Sequence, residues 1–299
     1  NDLKKIYAKR GGEIEENADL AGLSSIRVGG KARILCSPST EECLEESLKC
    51  LRDAGEKYFI AGNCSNVLFP DHCFDRAVIK LPGGDFSWEQ KGRELTVSSG
   101  LRLSCVLREC SDRGILGLEC MSGIPATIGG AIRNNASSTE GAITDTLTRI
   151  QVLDDSMKKI WIEKQDLRFG YRSFSWPGGG VILKAVFSLS VSSKEEVRGR
   201  IKKVFLDKWE KQPCDKRTLG CVFKNPGKGG QTAWRLVDGA GMRGKRRGGA
   251  VVSEKHANFI INDNRATSLD VRGLISDIKT RVMDKFGIEL EEEIEIVES

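Results

Sequence analysis

The sequence predicts an α+β protein of more than one domain, and three observations lead there. Residues 31–61 read as strand, helix, strand. Short strands with one intervening helix then dominate up to about residue 190. A basic helix over 195–212 ends at Pro213, and a second block of strands and helices follows it. The length of 299 residues suffices for one large core or two to three smaller ones. A domain boundary falls near Pro213.

Residues 1–23 are polar and read as a short helix and a connector. Alternation makes 31–36 a strand. Thr40 before Glu41 and Glu42 is an N-cap with acids in the first turn; the helix runs to Ala54, and Gly55 stops it. Residues 58–61 are a buried strand, so the opening is a β-α-β unit with parallel strands. Strands follow at 76–81, 85–90 and 94–98, then a helix over 101–113 closed by Gly114. A hairpin joins 147–153 to 158–162 around Asp154-Asp155-Ser156, and 181–190 is a strand. After Pro213, Gly220 begins a turn and a short strand that stops at Pro226. A helix spans 232–238, strands 250–253 and 257–261 flank Glu254-Lys255-His256, and an amphipathic helix covers 269–286 with Leu269 on its apolar side. Gly287 ends it, and 288–297 reads as an acidic final strand.

Composition narrows the function classes. A net charge of +5 mildly favours anionic ligands and is too small to argue for nucleic acid. The ten cysteines contain no C-x-x-C pair, which excludes a zinc ribbon or a thioredoxin-type motif. Scattered through apolar stretches, they fit reduced thiols in a cytosol. With two histidines, no His-based metal site is expected. No apolar run approaches the roughly 20 residues of a membrane span, and the N-terminus lacks the apolar segment of a signal peptide. The chain begins at Asn1 rather than Met, which reads as a trimmed start.

Four stretches carry chemistry. Gly62-Asn63-Cys64-Ser65-Asn66 follows a strand and fits either an anion-binding nest or an ordinary turn. Residues 122–136 combine Gly123, Gly129, Gly130, Pro125, Asn134 and Asn135 with almost no charge. Backbone amides and Thr127 there could hold a diphosphate; a glycine-rich packing corner is the alternative. Arg172 follows an aromatic residue in a turn-rich region, where a guanidinium could reach a carboxylate or simply be solvated. Gly220-Cys221-Val222-Phe223-Lys224-Asn225-Pro226 puts a thiol, an ammonium and a carboxamide within five residues. Extended, it would turn Cys221, Phe223 and Asn225 to one face. A buried core cysteine with Lys224 reaching solvent is the plainer reading. The basic run Lys245-Arg246-Arg247 has no interleaved aromatics, so nucleic-acid binding is a poor reading of it.

Residues 122–136, 169–172, 220–226 and 253–262, in this order and spacing, resemble the UDP-N-acetylenolpyruvoylglucosamine reductases, bacterial flavoenzymes of peptidoglycan synthesis. Matching pieces run from Arg27-Val28-Gly29-Gly30 to Glu293, nearly the whole chain, and look like the shorter subclass. The resemblance implies a three-domain flavoprotein. Residues 1–82 and 83–195 would form a two-part FAD-binding unit like that of vanillyl-alcohol oxidase, and 196–299 an α+β substrate domain whose last strand could pack elsewhere. FAD would be held by Gly62, Asn63, Cys64, Ser65, Asn66, Gly123, Ile124, Pro125, Thr127, Gly129, Gly130 and Asn135. The implied reaction is NADPH-dependent reduction of UDP-N-acetylglucosamine enolpyruvate to UDP-N-acetylmuramate, serving cell-wall biogenesis, cell shape and division. Arg172 and Glu293 would stabilise the intermediate, Cys221 would protonate it, and Lys224 and Asn225 would contact substrate. A cytoplasmic protein with no metal, nucleic acid or membrane partner is expected; the sequence does not set the oligomeric state, and with no clear self-association surface in it a monomer is the expectation.

The sequence departs from the family at Cys221, where a serine is usual. A thiol with a reference pKa of about 8.5 stays mostly protonated at neutral pH, so it can donate, at the cost of sensitivity to oxidation. Lys224 or Arg172 nearby would deplete that acid form. Phe174 stands where the family tends to have serine. Glu293 is chosen over Glu292 by its spacing from Phe286-Gly287 and by Ile294 after it. An FAD-dependent oxidase of the same flavin-binding class and an inactive homologue are the competing readings.

Overall fold

The computed structural model describes residues 2–89, 91–227 and 230–298. Its chain forms two compact units: Asn1–Glu16, Ile34–Asn63 and Arg76–Asp207 make one, and Asn17–Arg33, Cys64–Asp75 and Lys208–Ser299 the other.

The first unit holds two hydrophobic cores. One is built on the helix Glu41–Asp53, which buries Cys43, Leu44, Ser47, Leu48 and Leu51 at helical spacing. Thr40 caps it as expected, its hydroxyl accepting the Cys43 N–H at 3.1 Å. Tyr7, Ala77, Ile79, Leu153, Val181 and Leu183 complete this core. The sheet order is Gly12–Asp19, Lys31–Pro38, Phe74–Lys80, Tyr58–Ala61, so a third strand lies between the two of the expected β-α-β unit. Tyr58–Ala61 pairs with it in parallel. Gly12–Asp19 itself was expected to be connector, because an exposed strand without apolar alternation leaves no period-two signal.

The second core lies on a five-stranded antiparallel sheet ordered Lys159–Glu163, Leu147–Leu153, Val181–Ser188, Glu94–Ser98, Phe86–Glu89. Gln90, expected to end the last of these, lies outside the described residues. Leu95, Val97, Ile150, Val152, Ala185 and Phe187 face the helices Leu103–Arg113 and Ile128–Arg133. Asp154 builds the hairpin turn, its carboxylate accepting the N–H groups of Ser156 and Lys158 at 2.9 and 2.8 Å.

The second unit has one core over a sheet ordered Thr218–Cys221, Phe259–Asn262, Ala250–Val252, Arg246–Arg247. The helix Ser268–Phe286 covers it with Val271, Leu274, Ile275, Ile278 and Val282. Thr267 and Asp270 form a capping box, and Gly287 takes the left-handed conformation that ends the helix. Leu269 is 73% exposed, not on the apolar side. Ile26, Val28 and Leu68, sequence neighbours of the first unit's strands, belong to this core. The expected continuous strand over 288–297 is also corrected: only Glu295–Ile296 is strand, parallel to Val67–Leu68, with an isolated bridge from Glu292 to Phe223. Among the described residues no helix is long and apolar enough to cross a membrane, and no cluster of ligating side chains could hold a metal ion.

Candidate active site

In the first unit, two glycine-rich loops meet. The strand Tyr58–Ala61 delivers Gly62 and Asn63, and the Asn63 amide donates to the Pro125 carbonyl at 2.7 Å. A Cβ built on Gly62 would lie 2.6 Å from the Thr127 hydroxyl oxygen. That hydroxyl caps the short helix Ile128–Arg133, accepting the Gly130 N–H at 3.3 Å. Gly123 has φ +76°, which keeps a side chain out of the loop's tightest turn, and Ile124 N–H closes back on Met121 at 3.2 Å. Gly129 packs on Ser99: its N–H donates to the Ser99 carbonyl at 2.8 Å, and an added Cβ would be 3.0 Å from that residue's Cβ. Gly62, Asn63, Pro125, Thr127 and Gly130 therefore form one uncharged, backbone-rich cradle. Such a surface suits a dinucleotide whose diphosphate is held by N–H groups, and the closeness of Gly62 to Thr127 leaves no room for a side chain in its place.

Arg172 lies in the same unit at a two-residue turn between the strands Arg168–Gly170 and Ser173–Ser175, with φ +53°. Its guanidinium donates to the Ser137 hydroxyl at 2.7 Å and lies 5.4 Å from the Tyr171 ring centroid. Asn135 braces this turn. Its amide donates to the Gly170 carbonyl at 2.7 Å, and its side-chain oxygen accepts from Thr144 at 2.8 Å. These bonds give Asn135, expected to touch the cofactor, a scaffolding part beside Arg172. Phe174 is buried, with its ring tilted against Trp176 at 5.8 Å, so the residue that departs from the family pattern anchors the turn's far side.

The remaining expected residues stand in the second unit. Cys64, 5% exposed and at φ +46°, accepts the Ser25 N–H on its carbonyl at 3.4 Å. Ser65 is half-buried. The Asn66 amide donates to the Glu293 carbonyl at 3.0 Å, and the Asn66 carbonyl accepts the Glu295 N–H at 2.8 Å. This holds the acidic tail in place.

Cys221 ends the strand Thr218–Cys221, opposite Phe259, and is half-buried. The strand is bulged at Gly220, φ +83°. Here the expectation of alternation fails: Val222 and Phe223 are both buried, at 3% and 1%. The strand begins before Gly220 and ends just after it, at Cys221, and residues 222–224 bond to two different partners. The Val222 N–H donates to the Asn258 carbonyl, 2.8 Å, and the Val222 carbonyl accepts the Glu293 N–H, 2.7 Å. Lys224 N–H donates to the Glu291 carbonyl at 2.8 Å. The Asn225 side-chain oxygen accepts the N–H of Ala233, first residue of the helix Ala233–Gly239, at 2.9 Å.

The three acids of the tail are held differently. Glu291 forms an ion pair with Lys224. Glu292 pairs with Lys279 of the helix Ser268–Phe286 at 2.9 Å. Glu293 is half-buried, with its backbone fixed on both sides by Val222 and Asn66. In the cores of the first unit, burial pushes the Cys36 thiol up to about 11 and that of Cys110 up to about 12, keeping both protonated and inert.

Sequence reasoning missed four contributors: Ser137 on Arg172, Lys279 on Glu292, Asn258 on the Cys221 segment, and His256. The last is half-buried between Trp234 and Phe259, and the resulting desolvation holds its imidazole below the usual histidine range. Asn258 and Asn262, four apart in an apolar stretch, were the available signal, since buried amides must find partners.

Comparison with known proteins agrees with this geometry. A model of the FAD binding domain matches residues 32–161, where the glycine-rich cradle lies. The second unit corresponds to the UDP-N-acetylenolpyruvoylglucosamine reductase C-terminal domain, matched over residues 212–297. The berberine bridge enzyme, in a variant described as a reticuline dehydrogenase, shares the fold over 64% of this chain and 44% of its own, with TM-score 0.50 and 14% identity. Cradle and fold together define an FAD-binding oxidoreductase of the vanillyl-alcohol-oxidase class. Two relatives narrow this. The UDP-N-acetylenolpyruvoylglucosamine reductase of Caldicellulosiruptor bescii is 37% identical over 297 residues, covering 98% of this chain and 94% of that protein. The crystal structure of the Thermus caldophilus UDP-N-acetylenolpyruvylglucosamine reductase superposes with TM-score 0.80 at 33% identity, covering 96% of this chain and 99% of that one. The chain belongs to the UDP-N-acetylenolpyruvoylglucosamine reductase family.

Proposed function

We propose that the protein reduces UDP-N-acetylglucosamine enolpyruvate to UDP-N-acetylmuramate with electrons from NADPH, in the cytoplasm and as a monomer, supplying peptidoglycan synthesis. The observation that carries the reading is the pairing of residues 222–224 with 291–293, which holds a half-buried thiol and a half-buried carboxylate on adjoining segments. FAD would be held by Gly62, Asn63 and the loop 123–130, with Cys64, Ser65, Asn66 and Asn135 in support. When bound it supplies the two-electron chemistry that links the dinucleotide to the enol ether. The three-domain division, with boundaries near residues 82 and 195, is part of the proposal.

The protein's own task is to manage charge and one proton. Adding a hydride equivalent to the terminal carbon of the enol ether leaves the neighbouring carbon enolate-like, with charge spreading to its carboxylate. Arg172 supplies a fixed positive charge for that anion, its guanidinium oriented by Ser137 and Tyr171. Glu293, in its acid form, donates a hydrogen bond to the same charge. Cys221 then gives its thiol proton to the enolate-like carbon. Asn225, held against Ala233, and Lys224 meet polar groups of the substrate.

The test is NADPH oxidation followed anaerobically, with and without the enolpyruvyl sugar nucleotide. Strong stimulation by that substrate is expected, and oxidation only on admission of oxygen would favour an oxidase. Cys221→Ala, with normal flavin content, should lose at least about 100-fold in turnover, the scale of a lost general acid. Cys221→Ser should recover much of it. Full activity in the alanine variant would remove the thiol from the mechanism.

A further inference from the structure

We infer that Asn258 is a positioning residue for the proton donor. This rests on the reading of Cys221 as that donor. Asn258 is 4% exposed, and both ends of its carboxamide serve one residue. The Phe223 N–H donates to Asn258 Oδ1 at 3.0 Å, and Asn258 Nδ2 donates to the Phe223 carbonyl at 2.8 Å. A donor facing Oδ1 and an acceptor facing Nδ2 fix the orientation of the amide. Its backbone carbonyl takes the Val222 N–H at 2.8 Å. One asparagine thus satisfies three of the four backbone polar groups of Val222 and Phe223, just after Cys221, where pairing with the strand Phe259–Asn262 has ended; the fourth, the Val222 carbonyl, takes the Glu293 N–H.

The bulge at Gly220 explains the need. Regular pairing stops at Cys221, and Val222 and Phe223 both turn inward. The backbone there cannot use a neighbouring strand on this side, so the side chain of Asn258 takes the place of one. Asn258 is itself held by a tight turn: its N–H meets His256 Nδ1 at 3.3 Å, and the Ser253 hydroxyl accepts the N–H groups of Lys255 and His256 at 3.1 and 3.2 Å. Cys221 is therefore aimed from one side by this turn and from the other by the Glu293 N–H on Val222. No part of Asn258 needs to touch the substrate.

The variant Asn258→Asp keeps the acceptor for the Phe223 N–H and sets an anion against the Phe223 carbonyl. Asn258→Ser, smaller and uncharged, is the second variant should the first fold poorly. Stopped-flow separates flavin reduction by NADPH from reoxidation by the enolpyruvyl substrate. The expected result is unchanged flavin reduction and reoxidation slowed about tenfold to a hundredfold, the scale of a misplaced reacting group. The solvent isotope effect on reoxidation should rise as proton transfer becomes limiting. Added to Cys221→Ala, Asn258→Asp should cost nothing further, because it acts through the thiol. Independently of turnover, iodoacetamide should alkylate Cys221 faster in Asn258→Asp, with exposed Cys73 and Cys214 as unchanged references. Equal slowing of both half-reactions, or normal reoxidation with unaltered Cys221 alkylation, would overturn the inference. If Cys221→Ala alone reoxidises normally, the donor reading fails first and the inference falls with it. A slow Cys221→Ala beside a normal Asn258→Asp sinks the inference alone.

Discussion

Glu291, Glu292 and Glu293 are chemically identical and consecutive, yet their surroundings separate them. Lys224 and Lys279 neutralise the first two. The Glu292–Lys279 pair is partly solvated, so Glu292→Gln should cost no more than about 1 kcal/mol and leave turnover near normal. Glu293→Gln should lower turnover by about 100-fold or more with an unchanged denaturation midpoint, as expected when a group serves developing charge. Steady-state rates beside urea melts check both, and the reverse ranking would move the assignment one residue. His256 gives a pH prediction. Burial lowers its pKa in the folded chain, so as pH falls below about 6.5 the unfolded chain takes up a proton first. Stability is then full above that pH, declines below it, and stops declining once the folded pKa is passed. Urea midpoints between pH 7.5 and 5 should show this slope, and His256→Gln should flatten it.

Legibility of the elements followed how local their cause was. Thr40, Gly55, Gly114 and Gly287 marked helix ends correctly, because caps depend on the backbone of one or two turns. The hairpin at Asp154 was readable for the same reason. Strands whose partners lie far away in sequence were harder. Phe74–Lys80 inserts into the opening β-α-β unit, and no local pattern announces that. The acidic tail read as one strand, since hydrophobic alternation does not reveal that its partners change from Phe223 to Leu68 within a few residues. The same limit applies to the site. Cys221 was visible as a residue type, and Arg172 and Glu293 through a resemblance. The alternation proposed around Cys221 failed because the bulge at Gly220 resets the side-chain period, and bulges are set by the pairing.

For the whole molecule, continuity in sequence and continuity in space diverge most in the second unit. A linear division would assign its core to residues after 208 alone. Ile26, Val28 and Leu68 nevertheless fill that core. The Ser25 hydroxyl donates to the Thr218 carbonyl at 2.6 Å, and Asn262, which is buried, donates to the Ile26 carbonyl at 2.9 Å. Asp71 accepts the N–H groups of Ser268 and Leu269 at 2.7 and 3.0 Å, capping the main helix from a distant part of the chain. Leu68 also supplies the pairing partner of Ile296. Losing three buried aliphatic side chains removes about 1.5–3 kcal/mol each. That sum is comparable with the 5–15 kcal/mol that holds a typical domain folded. A fragment of residues 208–299 should therefore lack cooperative unfolding and exchange its amides within minutes. The helix Ser268–Phe286 should survive only in part, because its own capping box remains while Asp71 is gone. Hydrogen exchange on the fragment and on the full chain measures this directly. Native-like protection of the strand Phe259–Asn262 in the fragment would show that the earlier segments decorate the core instead of completing it.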